Sequence, residues 1–305
     1  MQTKQLLYCI GEREAVRRRH DADEPRPWTK DQIFHEWSFT NVRREDDRVT
    51  KWIFNNWLLP HATDVDVWFA MAVARFVNWA PTLLEVGYPV PWDPDRVLKV
   101  MTGRTARGEK VYGPAYMIHA DNRSGRPTPQ YQVEDVLGPL WRARERLRPR
   151  VDDTLAQYFI RLGGFEAMGS FMRGQIIADV KFVQPLRDAP DWMDFAVSGP
   201  WSRRGLNRVL GRPKDARWAN ESAWGKASER AWRKDFDQFR AAIADDLERL
   251  GLGDLDAQSL QSCLCEYDKF ERTRLGEGRP KRRYCPTDPP KPPKGPPPRK
   301  KGMLF

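Results

Sequence analysis

The chain has 305 residues and a formal net charge of +10; 40% of its residues are hydrophobic, 31% are charged and thirteen are tryptophan. That length supports one large or two small globular domains, and no apolar run approaches the roughly 18 residues of a membrane span. Charges arrive too early in Met1–His20 for a secretory leader, and the cysteines Cys9, Cys263, Cys265 and Cys285, with no CxxC among them, argue against a disulfide framework or an iron–sulfur cluster. A soluble, cytoplasmic protein is expected. From Arg279 onward nine Lys/Arg stand against one acid, Asp288, so the preceding 278 residues are nearly balanced. Any nucleic-acid surface in the body must therefore come from local clustering.

Taken in order, most segments carry helical periodicity. "DQIFHEW" follows "PRPWTK", with Thr29 placed to cap it. "REDDRVTKWIFNNWLLP" sets Val49, Ile53 and Trp57 on one side and stops at Pro60. "DVDVWFAMAVARFVNWAP" is apolar enough to be buried all round. From about Arg104 to Gln132 the pattern changes. "EKVYGPAYMIHA" alternates like a short strand or hairpin, and "DNRSGRPTPQ" reads as a loop. Helices resume with "VEDVLGPLWRARERL", "DDTLAQYFIRLGGF" and "FEAMGSFMRGQIIADVKFV". The last three features are the "AVSGPWSRRGL" corner, "SAWGKASERAWRKDFDQFRAAIADDLERLG" and "LDAQSLQSCLCEYDKFERTRLG". The final twenty residues hold eight prolines and are expected to be disordered. The predicted organisation is a mostly α domain over residues 1–284, with a β/loop insertion at 104–132, followed by a Pro-rich basic tail at 285–305.

Three polar stretches stand out. In "AVSGPWSRRGL" a Gly-Pro turn opens a helix, and Gly199, Ser202, Arg203, Arg204 and Arg208 could grip a DNA phosphate there; an ordinary helix–helix corner accounts equally for the Gly-Pro pair. In "FTNVRREDDRVTKW" helical spacing would place Asn41, Glu45 and Arg48 on one side and Arg43 and Asp47 on another. A solvated charged face is the plain alternative, but Phe39, Trp52 and Trp57 flank the run and favour a pocket wall. In "CLCEYDKFERTRLGEGRP" Glu266 pairs with Lys269 and Asp268 with Arg272 at helical spacing, offering candidate general bases and an amine, or two surface ion pairs. His20, His35, His61 and His119 are too scattered for a metal site. "GRTARGEK" lacks the GK[ST] ending of a phosphate loop and precedes a strand-like segment instead of following one, so a P-loop kinase is rejected.

Together these stretches are similar to helix-hairpin-helix DNA glycosylases: an early polar segment lining a base pocket, a hairpin and a late polar helix. More closely, "NVRREDDRV", "LGGFEAMGSFMRGQIIADV", "SGPWSRRGL" and "LCEYDKFERTRLGEGRP" resemble the α-glutamyl/putrescinyl thymine pyrophosphorylase family, the amino acid:DNA transferases of bacteriophage DNA hypermodification, over roughly Phe34 to Tyr284. The resemblance implies a glycosylase-like helical fold and an enzyme that replaces the diphosphate of pyrophosphorylated 5-hydroxymethyluracil in DNA with an amine. It implies Glu266 or Asp268 as general base, Lys269 beside them, and Asp47 as the acid that orients an arginine. Asn41, Arg43, Arg44, Arg48 and Gln175 would serve the diphosphate and the extruded base. The implied partners are double-stranded DNA with modified thymine, an amino acid or polyamine donor, and a 5-hydroxymethyluracil DNA kinase, with no membrane. No cofactor or metal is called for, though magnesium is compatible.

Two alternatives stay open: a DNA glycosylase or lyase using Lys269 as Schiff-base nucleophile with Asp268 as its partner, and a non-catalytic DNA-binding helical partner of that kinase. The family pattern has a small residue where Trp201 stands. A tryptophan held at positive φ costs on the order of 1 kcal/mol or more, so the turn has another geometry, the site is altered, or Trp201 wedges into the base stack.

Overall fold

The computed structural model describes residues 1–114, 125–218, 226–278, 280 and 283. The chain is mostly helical. In order come α1 (Lys4–Asp21), α2 (Gln32–Glu36), α3 (Arg48–Ile53), α4 (Val67–Val77), α5 (Ala80–Val86), α6 (Pro94–Ala106) and α7 (Thr128–Gln130). They are followed by α8 (Gly138–Arg142), α9 (Arg144–Leu147), α10 (Leu155–Arg161), α11 (Ser170–Val180), α12 (Pro200–Val209), α13 (Lys226–Ala242), α14 (Ala244–Arg249) and α15 (Ala257–Arg274). Wider π-type turns extend α3 over Phe54–Leu58 and join α7 to α8 over Tyr131–Leu137. Among the described residues there is no strand, only an isolated antiparallel bridge between Trp37 and Arg283. The described residues divide into two compact units, one made of 1–47 with 190–283 and the other of 48–189.

In the first unit, α1 buries Leu6, Cys9 and Ile10, α13 buries Trp232, Phe236 and Phe239, and α15 buries Leu260, Cys263, Leu264, Tyr267 and Phe270. Each set recurs at three- and four-residue steps, which puts one stripe of each helix into a shared core. Trp232 stacks on Phe236 with ring centroids 4.8 Å apart. Two starts are fixed by aspartate caps: Asp256 accepts from Ser259 N on α15, and Asp31 accepts from Ile33 N on α2. Thr29, expected as the cap of α2, lies three residues before the helix and its Oγ1 accepts from the N–H of the true cap, Asp31. Burial raises the Cys9 and Cys265 thiols to about 12 and also pushes Cys263 up, so these sulfurs act as packing groups.

In the second unit every residue of α4 is buried, as its unbroken apolar run requires. The helix ends at Asn78, in left-handed conformation with φ 48°. Gly113 passes so close to this end that a Cβ there would lie 2.0 Å from the Asn78 carbonyl oxygen. Thr82 Oγ1 donates to the Val111 carbonyl at 2.8 Å. The alternation expected to form a strand therefore reflects, in its described part, an irregular segment with Val111 turned into the core; residues 115–124 of that stretch lie outside the described residues. At its far end the expected loop is helical, because α7 covers Thr128–Gln130. The tail at 285–305, with Cys285, also lies outside the described residues.

Two further expectations are corrected. The run Arg43–Arg48 is not one helix: Arg44–Asp46 forms a single 3-10 turn, Arg43 and Asp47 are extended, and α3 begins at Arg48. Asn41, Glu45 and Arg48 therefore share no helical face. Side-chain bonds to the backbone compete with the helix here, since Asp47 Oδ1 accepts from Asn41 N and Asn41 Nδ2 donates to the Asp46 carbonyl. No helix directly precedes Gly199 either. Between α11 and α12 lie one 3-10 turn at Leu186–Asp188, further turns and then irregular backbone up to Gly199, so "AVSGPWSRRGL" is a helix start and not a helix–turn–helix corner.

Candidate functional site: a polar seam on two crossed helices

The seam lies in the first unit and is built on the contact between α12 and α15. Gly205 makes the contact possible: a Cβ at this position would meet the Leu264 carbonyl oxygen at 2.1 Å. With the backbones touching, the polar residues flanking Gly205 come beside those flanking Leu264.

The start of α12 is locally closed. Gly199 is extended, with φ −130°, and its N–H donates to Ser202 Oγ. Ser202 is fully buried. Pro200 and Trp201 lie within the helix, so Trp201 takes no positive φ and the strain considered for it is absent. Arg203 is buried and donates to Ser198, Ser228 and Glu229. Ser202 and Arg203 thus stabilise the helix start from inside and present no donor to a ligand in this arrangement. A Ser at the third helical position and an Arg beside it carry no sequence mark of burial, and the Ser228 and Glu229 partners of Arg203 lie elsewhere in the chain.

Asp268 has no exposed surface, yet three arginines address it. Arg208 Nε donates to Oδ1 at 2.8 Å, Arg204 Nε lies 3.4 Å from Oδ1, and Arg272 Nε lies 3.2 Å from Oδ2. A sealed carboxylate ringed by guanidiniums cannot take a proton from an incoming amine. Asp268, expected as a candidate general base, is thus placed where it orients its arginines. Arg208 also donates to Glu277, which Lys214 contacts as well, and these two hydrogen bonds pull the Glu277 carboxyl down to about 2.

Two residues earlier on α15, Glu266 Oε2 accepts from Lys269 Nζ at 2.5 Å and from Thr40 N at 3.2 Å. The Lys269 ammonium sits 4.5 Å from the Phe39 ring centroid. The early polar segment and the late helix meet here, through Thr40 N on Glu266 and the Phe39 ring on Lys269, with Asn41 joining Thr40 to Asp47. Asp47 is half-buried; burial raises its carboxyl above the ordinary range, against the opposing Asn41 N–H and the Arg44 and Arg13 charges. Arg43 reaches away from this group, pairing with Asp254 at 2.5 Å. Arg44 lies in the 3-10 turn. Arg48, at the start of α3, and Gln175, half-buried on α11, belong to the second unit.

Phe39, Thr40 and Asn41 also line a cavity of about 100 Å³ walled by Trp28, Phe34 and Trp37. Arg13 of α1 closes its floor. It donates through Nε and Nη2 to the Thr40 and Asn41 carbonyls, and its charge also faces the buried Cys263 sulfur. Arg13, Trp28 and Trp37 were not singled out from the sequence. Arg13 had a legible signal, an arginine on the same stripe as Leu6, Cys9 and Ile10. Among the described residues no three metal-ligating side chains cluster, and no helix is long and apolar enough to cross a membrane.

No curated protein and no solved structure matches this chain. The family model for the helical domain of 5-hmdU DNA kinase matches residues 2–279, which takes in both units and every residue of the seam. By that match, this chain belongs to the family of the 5-hmdU DNA kinase helical domain.

Proposed function

We propose that this chain is a DNA-handling domain of thymine hypermodification, which engages duplex DNA containing 5-hydroxymethyluracil and holds the modified base out of the stack for phosphorylation of its hydroxymethyl oxygen. The carrying observation is the aromatic cavity with Arg13 in its lining and the Glu266–Lys269 pair against its Phe39–Thr40 side. Chemistry on a base calls for extrusion into a pocket that offers flat apolar walls and a few hydrogen-bonding groups. At about 100 Å³ the cavity is smaller than the roughly 150 Å³ that admits benzene elsewhere, so a pyrimidine enters only as the rim side chains part. Phosphoryl transfer needs a nucleotide cradle, and the sequence carries no GK[ST] loop; the kinase centre is supplied by a partner segment. The test uses duplex DNA with 2-aminopurine beside 5-hydroxymethyluracil. Extrusion raises its fluorescence with the wild-type chain and not with Trp37→Ala. A wild-type chain that binds the duplex without unstacking it defeats the reading.

A second reading, transfer of an amine, is favoured by two carboxylates near the cavity, Glu266 and the half-buried Asp47. In that reaction the amine nitrogen bonds to the exocyclic carbon, the carbon–oxygen bond to diphosphate breaks, and Glu266 or Asp47 takes the ammonium proton. Arg43 would release exposed Asp254 to receive the diphosphate, with Arg44 beside it. Nucleoside mass spectrometry of pyrophosphorylated DNA incubated with the chain and mixed amines separates the readings: an amine adduct supports transfer, and its absence, together with stimulated phosphorylation by a 5-hydroxymethyluracil DNA kinase, supports the first. Borohydride trapping of Lys269 on DNA would point instead to a lyase.

A further inference from the structure

The cavity leaves one feature of the seam unused. Trp201 is 45% exposed, the one exposed tryptophan among the described residues, and two guanidiniums sit against it: Arg272 at 4.7 Å and Arg204 at 5.3 Å from the ring centroid. We propose that Trp201, Arg204 and Arg272 form a clamp for one phosphodiester of the DNA and its adjoining base, with Asp268 as the positioning residue that holds both guanidiniums. The proposal rests on the reading that the chain engages DNA and assigns that contact to a particular surface.

The argument begins with how each arginine is held. Arg204 and Arg272 both approach Asp268 through Nε, on its two different oxygens. Their η nitrogens have no hydrogen-bond partner among the described residues. Arg203 and Arg208 on the same helix differ, since their η nitrogens are taken by Ser228 and Glu229 and by Glu277. The charges around the clamp do not cancel. Asp268 and Glu277 face Arg204, Arg208, Arg272 and Lys214; the next acid, Asp215, is 3.7 Å from Arg204 and mostly exposed. A buried carboxylate that attracts two planar cations at their inner edges, as ion pairs without hydrogen bonds, leaves their outer edges as available donors. That fork geometry matches a phosphate oxyanion, and the exposed indole supplies a stacking surface for the neighbouring base.

The test measures binding of the full chain to a fluorescent duplex containing 5-hydroxymethyluracil across 50–200 mM salt, with a melting temperature for every variant. Arg204→Gln and Arg272→Gln are each expected to flatten the log affinity against log salt slope by about 0.9, one phosphate's worth. Arg272→Lys should keep the slope but weaken binding, because charge remains while the fork is lost. Trp201→Ala should weaken binding about fivefold with the slope and melting temperature unchanged. Wild-type affinity and slope in Trp201→Ala and Arg272→Lys at unchanged melting temperature would overturn the clamp while leaving DNA engagement intact; a wild-type chain that binds no duplex overturns both. Inorganic diphosphate should compete only at millimolar concentration. Micromolar competition lost in Arg204→Gln would identify a diphosphate site instead and overturn the proposal.

Discussion

Asp179 in the second unit and Asp268 in the first are both closed to solvent, and they are neutralised in opposite ways. Asp179 takes Arg75 in a two-bond fork at 2.5 Å on each oxygen, and Arg75 also donates to Thr50 and Asn78. All four of these residues are buried. Asp268 instead takes three arginines, each through Nε, and the outer edges of Arg204 and Arg272 lie beside an exposed tryptophan. A buried acid matched by one buried base is architecture; one shared among several half-buried bases also holds cations at the surface. The distinction lies in where the outer nitrogens go, not in burial.

The sharpest way to break the comparison is to remove the sealed partner. Asp179→Ala leaves Arg75 buried without its counter-charge and is expected to cost about 3–5 kcal/mol, measured by urea denaturation. Arg272→Gln should cost under about 1 kcal/mol, because Arg204 and Arg208 still neutralise Asp268. Equal losses would show that both centres are purely structural. Next in size, Gly205→Ala should destabilise by about 1–3 kcal/mol or more, since the Leu264 backbone cannot move without shifting α15. It should lower DNA affinity as well, by separating Arg204 from Asp268.

Smaller effects concern pH. Glu277 titrates at about 2 in the folded chain against 4.5 ordinarily, so its contribution is complete above about pH 4.5 and is lost as pH falls toward 2. Glu277→Gln should flatten the melting temperature against pH in that window alone. Asp47 has the opposite sign. Its raised carboxyl makes the ionised form unfavourable in the folded state, so Asp47→Asn should modestly stabilise the chain above the folded value, with no difference below the ordinary 3.8. The Asn41 N–H can still be accepted by the amide oxygen. A destabilised Asp47→Asn would show that the charge holds Arg44 or Arg13 in place.

What the sequence made legible follows the range of each interaction. The buried α4, the Thr154–Gln157 capping box and the Glu266–Lys269 pair are local, and spacing alone points to them. The Asp268 hub is half local: Arg272 is one turn away, but Arg204 and Arg208 arrive from a helix some sixty residues earlier, through a crossing set by Gly205. The base cavity depends on α1 and on Trp28 and Trp37, which no short motif connects. Periodicity misled at Arg43–Arg48, where carbonyl capture by Arg13 and side-chain bonds from Asn41 and Asp47 outweigh helical spacing. It misled again at Val111, where alternation marks a loop against the end of α4.

The path of the chain through its two units carries a consequence for synthesis. Residues 48–189 are contiguous, whereas the other unit is stitched from 1–47 and 190–283. On a ribosome the interrupting segment emerges whole and can fold first. The apolar stripe of α1, with Leu6, Cys9 and Ile10, has to wait for α13 and α15 to cover it. At 5–20 residues per second, the trailing 94 residues take roughly 5–20 s to appear after residue 189. For that interval the N-terminal helix is a nascent segment without its core, and a natural client for a holding chaperone.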